Sequence, residues 1–241
     1  MSTAAFTSSI DGAVATIELC RPDTGNKMIS AEVAELGARV RAFGADPSVK
    51  IVVLRAQGAA FCLGRDATPG EKDGRAYGVR EAIAEPILSV YAAVRDCAVP
   101  VLAVAQGDAH GFGCAMIGGA DLTIAADTAR FSMPEMNGNL PPTLAISSVL
   151  GKVPSKRLMH MVYSRTTVSA AEALSMGMVS EVVPAADLAK ATAATIGRII
   201  DRDRRAICAV KEYMNAAIHM DPSGSARLAA NMLGVILGSE K

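Results

Sequence analysis

Three glycines within eight residues mark the stretch of this chain that is best suited to hold a negative charge. An apolar run, Val101–Ala105, predicts a short buried strand, and the glycines of residues 106–113 follow it directly. The small residues after Gly113 predict a tightly packed helix. A helix that begins at such a turn directs backbone N–H groups and the positive end of its dipole at a ligand. This stretch is therefore a candidate anion or oxyanion site.

Two other interpretations fit part of the same stretch. Glycines between a strand and a helix can serve packing alone, and the stretch by itself does not exclude this. Gly111 and Gly113 also begin like the dinucleotide-binding Gly-x-Gly-x-x-Gly, but the third glycine position is Met116 and the unit does not open the chain. We reject the dinucleotide interpretation.

An earlier glycine turn at residues 61–66, the first turn, and one glutamate add the other groups that could do chemistry, and the turn at 106–113 is the second turn. Residues 61–66 read Phe-Cys-Leu-Gly-Arg-Asp after a predicted buried strand, and Asp66 is expected to cap that turn. Glu135 stands in a turn-rich loop between Pro134 and Met136. An apolar setting would raise the pKa of its carboxyl group and suit it to moving protons. Of the residues in the second turn, His110 is expected to pack or hydrogen-bond beside it, and Asp108 to cap the following helix.

Composition excludes several classes of protein. The 241 residues carry 24 basic and 24 acidic side chains, and this balance argues against a nucleic-acid surface. No apolar run approaches the ~20 residues that a membrane span needs, and no secretory signal opens the chain, so a cytoplasmic location is expected. Five scattered cysteines without a Cys-x-x-Cys pair, and three unlinked histidines, predict neither disulfides nor a metal site nor another cofactor.

The order of the predicted elements suggests an α/β protein. Strands at 14–19, 51–54, 101–105, 122–125, 129–132 and 179–183 alternate with helices, among them 30–43, with Ser30 as N-cap, and 77–94, with a break near Glu85 before Pro86. A mobile loop is predicted at 68–74. From Asp187 to about Leu237 the pattern is helical, with a break at 221–224. We therefore divide the chain into an α/β core, residues 1–185, and a C-terminal helical region, residues 186–241.

Several separated motifs resemble those of the crotonase family, the enoyl-CoA hydratases and isomerases, along nearly the whole chain. Their order and spacing carry the resemblance. They are Asn26-Lys27-Met28, Phe-Cys-x-Gly-x-Asp at 61–66, the glycine run at 106–113, the strand at 121–126, Phe-x-x-Pro-Glu at 131–135, and the helix and strand at 170–183.

The resemblance implies a spiral of ββα units, a C-terminal helical trimerisation region, and a coenzyme A thioester as substrate. It places the thioester oxygen between the backbone N–H groups of Arg65 and Phe112, the arrangement that stabilises an enolate. It also implies that six residues contact the substrate or its coenzyme A: Lys27, Cys62, Gly64, Asp66, Gly111 and Ala115. Coenzyme A enters as part of the substrate.

The acid–base positions depart from the hydratase pattern. Family hydratases use two glutamates, and the two matching positions here are Ala115 and Glu135. One carboxylate can take a proton from one carbon and return it to another, whereas hydration must also activate water. The sequence thus favours an enoyl-CoA isomerase with Glu135 as its proton shuttle. The alternatives are a hydratase in which Asp108, His110 or Asn137 holds the water, and a non-catalytic acyl-CoA-binding relative.

Assembly and proteolysis are the remaining questions that the sequence addresses. Apolar residues of the C-terminal helices exceed what a thin solvent-facing layer needs, and predict a homotrimer or hexamer. A protease of the broader fold would need a serine–histidine pair, and neither a Gly-x-Ser-x-Gly elbow nor a suitably placed histidine occurs.

Overall fold

The computed structural model describes residues 4–67 and 74–238. The loop predicted at 68–74 lies outside the described residues, apart from Gly74.

One six-stranded sheet forms the centre of the protein. Only its first two strands pair antiparallel, and every later pair is parallel, as expected where helices connect the strands. In spatial order the strands are β1 (Phe6–Asp11), β2 (Val14–Leu19), β3 (Ile51–Ala56), β4 (Val101–Ala105), β6 (Leu122–Ala126) and β9 (Glu181–Val183). All five residues of β4 are buried, which agrees with its uninterrupted apolar sequence.

A second, three-stranded sheet lies next to the glycine turn that follows β4. Its strands are β5 (Ala109–His110), β7 (Arg130–Ser132) and β8 (Val168–Ser169), in that order. The pairing of Ala109 with Phe131 and of His110 with Ser132 brings the glycine turn beside the segment that leads to Glu135. This small sheet therefore positions the candidate site.

Ten α-helices are described, and most were predicted from their apolar spacing. They are α1 (Ser30–Ala45), α2 (Ala76–Val79), α3 (Glu85–Asp96), α4 (Phe112–Gly119), α5 (Thr143–Val149), α6 (Ser155–Ser164), α7 (Ala170–Ser175), α8 (Leu188–Ile200), α9 (Arg204–Ala217) and α10 (Pro222–Gly238). The predicted break before Pro86 is confirmed, because residues 80–84 form a π-helical turn between α2 and α3.

Two predicted helix boundaries are wrong. Ser30 is the first residue of α1 and not its N-cap: Ile29 holds that position, and its N–H donates to Glu32 Oε2 at 2.9 Å. The predicted break at 221–224 exists but lies a few residues earlier: α9 ends at Ala217 and α10 begins at Pro222, since proline suits the first turn of a helix. An unpredicted break between Ile200 and Arg204 separates α8 from α9.

A buried lysine fixes the C-terminal helices to the core. Lys211 of α9 is only 7% exposed, and its Nζ donates to Asp121 Oδ2 at 2.6 Å and to the carbonyls of Val94 and Val99 at 2.7 and 3.1 Å. Asp121 also accepts from the N–H of Val101, at the start of β4. One side chain thereby joins α9, the end of α3 and the central sheet.

We expect Lys211→Met to destabilise the protein by about 3–5 kcal/mol, because it leaves a carboxylate and two carbonyls buried without their cation. Urea unfolding measures the change in the free energy of unfolding. Lys190→Met, at an exposed position of α8, is the control and should change it little. Equal stability of the two variants would contradict the anchoring role.

Candidate active site

The two glycine turns lie directly against each other. Cys62 forms a parallel bridge with Ala109, and the N–H of His110 donates to the Cys62 carbonyl at 2.9 Å. A Cβ atom on Gly113 would lie 2.1 Å from that same carbonyl oxygen. Only glycine permits this approach, so the sequence of α4 determines how closely the turns can pack.

Asn26 ties a third segment to the turn at 61–66. It is 1% exposed and has a φ of 56°; its Nδ2 donates to the carbonyls of Gln57 and Ala60, both at 2.9 Å. Two residues later, the carbonyl of Met28 accepts from the N–H of Asp66 at 2.9 Å. The Asn-Lys-Met step therefore supports the turn at 61–66 through the backbone.

The two predicted oxyanion donors stand at the edges of these turns. Phe112 is the first residue of α4, so its N–H is one of the groups that the helix itself cannot bond. Arg65 follows Gly64, and a Cβ atom on Gly64 would lie 3.7 Å from the His110 carbonyl. The two positions are thus on neighbouring segments. Convergence of the two N–H groups on one oxygen stays a prediction.

Side chains around the first turn have structural partners. The Arg65 guanidinium donates to Ser30 Oγ at 2.9 Å and to the Asp66 carbonyl at 3.2 Å. The buried Cys62 thiol faces the carbonyls of Asn26 and Gly64. Burial raises the pKa of Cys62 to about 12, so this thiol stays protonated and is not a nucleophile. Lys27 and Asp66 lie near enough for their charges to act on it in opposite directions.

Glu135 is brought to the second glycine turn by a short 3-10 helix, residues 134–138, that follows β7. A Cβ atom on Gly111 would lie 3.0 Å from Glu135 Oε1. Gly111 has a φ of 51°, a conformation that other residues rarely adopt, so its missing side chain leaves the space that the carboxylate occupies. Gly111, in the glycine run at 106–113, therefore leaves room for the Glu135 carboxylate.

The Glu135 carboxyl is poised for proton transfer. Its Oε2 is buried and has no hydrogen-bond partner among the described residues. Burial raises the pKa of Glu135 above its usual value of 4.5, and a contact with its own backbone N–H offsets this only in part. An unpartnered carboxylate with a raised pKa is a stronger base than an ordinary surface glutamate.

The position of the absent second carboxylate is filled by a methyl group. Ala115 is fully buried in α4, and its carbonyl accepts from Ser148 Oγ at 2.8 Å. The three residues that were expected as substitutes differ in placement. The His110 ring bonds Ser132 Oγ through Nδ1 at 2.8 Å, as expected beside the turn, and Asn137 is exposed.

The expectation that Asp108 caps α4 is wrong. Its Oδ1 accepts from the N–H of Arg130 at 3.1 Å, and its carbonyl accepts from the N–H of Phe61 at 3.0 Å. Because β5 separates Asp108 from the helix, the carboxylate faces the start of β7 instead. Asp108 therefore joins the first turn to the small sheet.

Sequence reasoning missed Tyr91. This half-buried residue of α3 stacks its ring on Phe112, with centroids 6.1 Å apart and planes at 27°. Burial, and then the charge of Glu135, raise the pKa of its phenol. A signal was present in the sequence: Tyr91 lies four residues after Ile87 and three before Val94, which are both buried, so it belongs to the inward face of α3.

Neither a metal site nor a membrane span is found in the part of the chain that the structure describes. No group of three or more His, Cys, Asp or Glu side chains there is arranged to hold a metal ion. No helix there combines the length and apolar character that crossing a bilayer requires.

Comparison with known proteins identifies the family. The family model described as enoyl-CoA hydratase/isomerase matches residues 9–238. The chain belongs to this family. It is accordingly an acyl-CoA-processing enzyme with the crotonase fold, as the motifs and the α/β element order predicted.

Among curated relatives, this family member is 32% identical over 226 residues to a protein of Rhodococcus jostii RHA1. That protein is named (7aS)-7a-methyl-1,5-dioxo-2,3,5,6,7,7a-hexahydro-1H-indene-carboxyl-CoA hydrolase, and the match covers 92% of this chain and 85% of that one. It is 31% identical over 193 residues to the probable enoyl-CoA hydratase echA8 of Mycobacterium tuberculosis, covering 78% and 74%.

The fold is also that of solved hydratases. An enoyl-CoA hydratase crystal structure from Mycobacterium smegmatis superposes with a TM-score of 0.92 at 26% identity, covering 98% of this chain and 92% of that chain. The human enoyl-CoA hydratase domain-containing protein 3 superposes with a TM-score of 0.91 at 22% identity, a likeness that concerns the fold alone.

Proposed function

We propose that this family member is an enoyl-CoA isomerase in which Glu135 is the single proton shuttle. The observation that carries the proposal is the carboxylate of Glu135 at the Gly111 turn, with a buried and unpartnered Oε2, while a methyl group occupies the Ala115 position. Of the two positions at which family hydratases have glutamates, only Glu135 supplies a base here, and one base is what isomerisation needs.

The proposed reaction uses two backbone N–H groups to hold the oxygen and Glu135 for both proton transfers. The N–H groups of Arg65 and Phe112 hold the thioester oxygen of a 3-enoyl-CoA. Glu135 takes a proton from Cα, and the electron pair moves through the thioester to form a dienolate on that oxygen. Glu135 then returns the proton to Cγ, which gives the 2-enoyl-CoA. The amides stabilise the charge that develops on oxygen, a contribution of about 3 kcal/mol for each donor in comparable sites.

The residues around the two turns suit a coenzyme A thioester. Lys27 lies on the segment that supports the turn at residues 61–66. Cys62, Gly64 and Asp66 belong to that turn. In this proposal Lys27 and the Arg65 side chain supply positive charge near the phosphates of coenzyme A. In this proposal Ala115 and Gly111 lie beside the acyl group, and Gly111 also accommodates the Glu135 carboxylate.

The pH profile tests the state of Glu135. A base must be deprotonated to act, and burial raises the pKa of this carboxyl above 4.5. We expect kcat/KM to fall as the pH drops, with its midpoint above 4.5. A rate that stays constant until the pH falls below that value would show that a solvated carboxylate, or another group, is the base.

A second candidate is water-dependent chemistry, because the named relatives are a hydrolase and hydratases. A panel of matched 3-enoyl- and 2-enoyl-CoA thioesters separates the reactions. The proposal expects isomerisation of the 3-enoyl compounds to exceed hydration of the 2-enoyl compounds. Faster hydration would indicate that the protein is a hydratase. Binding without any turnover would indicate a non-catalytic acyl-CoA-binding relative.

We also propose that the C-terminal helices build a homotrimer or hexamer. An apolar groove of about 350 Å³ lies between α9 and α10, and Val210 and Leu233 on its rim are 67% and 60% exposed. Helix α10 has no buried residue within the chain. A monomer rarely leaves such a face to solvent.

Light scattering at micromolar concentration should therefore give the mass of a trimer or hexamer. Leu233→Glu should reduce that mass, because it places a charge in the apolar face. Asn231→Glu, at an exposed polar position of the same helix, is the control. A monomeric mass for the unmodified protein would rule the assembly out.

A further inference from the structure

Tyr91 stands where α3 meets the start of α4. Its ring stacks on that of Phe112 at 6.1 Å, and Phe112 supplies one of the proposed oxyanion N–H groups. The stacking fixes the phenol at the second glycine turn. Since α3 also packs on α1 and α4, Tyr91 is held by the core and not by a loop.

The phenol is surrounded by the parts of the proposed site. Burial and then the negative charge of Glu135 act on the phenol most, and the neutral thiols of Cys114 and Cys62 also lie within range of it. Cys62 belongs to the first turn, and Cys114 directly precedes Ala115. Tyr91 therefore lies among the two turns, the base and the position of the absent carboxylate.

The Tyr91 hydroxyl has no hydrogen-bond partner within residues 4–67 and 74–238. Glu135 Oε1 lies against Gly111, the neighbour of the Phe112 on which Tyr91 stacks, and Glu135 Oε2 has no hydrogen-bond partner among the described residues. Burial keeps the phenol protonated at neutral pH. It can donate a hydrogen bond, but it does not act as a base.

We propose that Tyr91 is a substrate-binding residue whose hydroxyl donates a hydrogen bond to an oxygen atom lying between it and Glu135. That oxygen is either a keto or hydroxyl oxygen of the acyl chain or a water molecule that reacts with it. The inference rests on the proposed role of Glu135 and adds the group that faces it. A site that offers a donor discriminates against ligands that lack the acceptor.

Tyr91→Phe removes the hydroxyl and keeps the stacked ring. The first measurement is the affinity, by calorimetry, for a saturated acyl-CoA and for its 3-oxo analogue of equal length. The second is the rate of 2-enoyl-CoA hydration compared with that of 3-enoyl-CoA isomerisation. Tyr163→Phe, at a position that is 68% exposed on α6, is the control for loss of a phenol.

If the oxygen belongs to the acyl chain, Tyr91→Phe should weaken binding of the 3-oxo compound about tenfold and leave the saturated compound unchanged. If the oxygen is water, the variant should lose hydration about tenfold while isomerisation and both affinities are kept. Either result supports the proposal. No change in any of these quantities overturns it, and so does an equal loss for both ligands, which would indicate a structural role.

Failure of the isomerase proposal gives a different result. If Glu135→Gln keeps full turnover, Glu135 is not the shuttle, yet the affinity difference between 3-oxo and saturated ligands still reports on Tyr91. If Tyr91→Phe behaves as the unmodified protein while Glu135→Gln is inactive, only the inference about Tyr91 fails.

Discussion

Glu135→Gln should reduce turnover of 3-enoyl-CoA by at least about a hundredfold and leave the dissociation constant for a saturated acyl-CoA nearly unchanged. The amide keeps the shape of the side chain beside Gly111 but cannot take a proton. General acid–base groups contribute about 10²–10⁴ in rate, and here one group serves both proton transfers. Stopped assays with a matched calorimetric titration measure both quantities.

The same variant should also stabilise the fold at neutral pH. A carboxyl whose pKa is raised in the folded state binds protons more tightly there than when unfolded. The stability that protonation of Glu135 contributes is complete below pH 4.5. It is lost as the pH rises through the raised pKa of the folded state. Relative to the unmodified protein, Glu135→Gln should melt at a higher temperature near neutral pH, and this advantage should disappear on acidification.

Glu172→Gln is the matched control for both measurements. Its carboxylate forms a capping box with Ser169, and the N–H and hydroxyl of Ser169 lower its pKa. Because this shift has the opposite sign, Glu172→Gln should lower the melting temperature near neutral pH and leave turnover intact. A Glu135→Gln variant that turns over like Glu172→Gln would eliminate the single-base mechanism.

The main helices and strands could be predicted because their apolar residues follow simple periods. Val33, Leu36, Val40 and Phe43 share one face of α1, and all four are buried. Strand β1 was missed because only Phe6 among its six residues is buried, so this edge strand lacks the alternation that indicates a sheet. Its pairing with β2 depends on a neighbouring strand, and no local pattern contains that information.

The same distinction applies to the site: some of its residues can be predicted from local sequence motifs, and others only from the packing of distant segments. The glycine turns and Glu135 were found because motif spacing marks them. Tyr91 was not, because a tyrosine on a helical stripe usually packs in a core, and only the packing of α3 against α4 brings its ring onto Phe112. Lys211 was missed for a similar reason: it meets Asp121 across 90 residues of sequence.

Gly113→Ala should disable the site by separating its two turns. The added Cβ atom would lie 2.1 Å from the Cys62 carbonyl oxygen and 2.8 Å from its Cβ atom, both far inside contact distance. Neither α4, which is buried throughout residues 112–118, nor the bridged Cys62 segment can move without disturbing the core. Overpacking of this kind costs about 1–3 kcal/mol or more.

The loss of activity should exceed what that destabilisation explains. Shifting one turn by about 1 Å moves the Phe112 N–H away from the thioester oxygen, and misplacement on that scale can cost about a hundredfold in rate. We expect kcat/KM to fall by at least that factor at a temperature at which circular dichroism shows the variant to be folded. Saturated acyl-CoA should bind more weakly too, because the thioester oxygen loses a donor.

Gly197→Ala is the control that separates this clash from the ordinary effect of adding a methyl group. Gly197 lies in α8, where a Cβ atom meets nothing within 4 Å, so alanine should stabilise the helix by about 0.5–1 kcal/mol and leave activity unchanged. If Gly113→Ala is folded and as active as Gly197→Ala, the two turns are not held in contact, and neither Phe112 nor Arg65 is positioned by this packing.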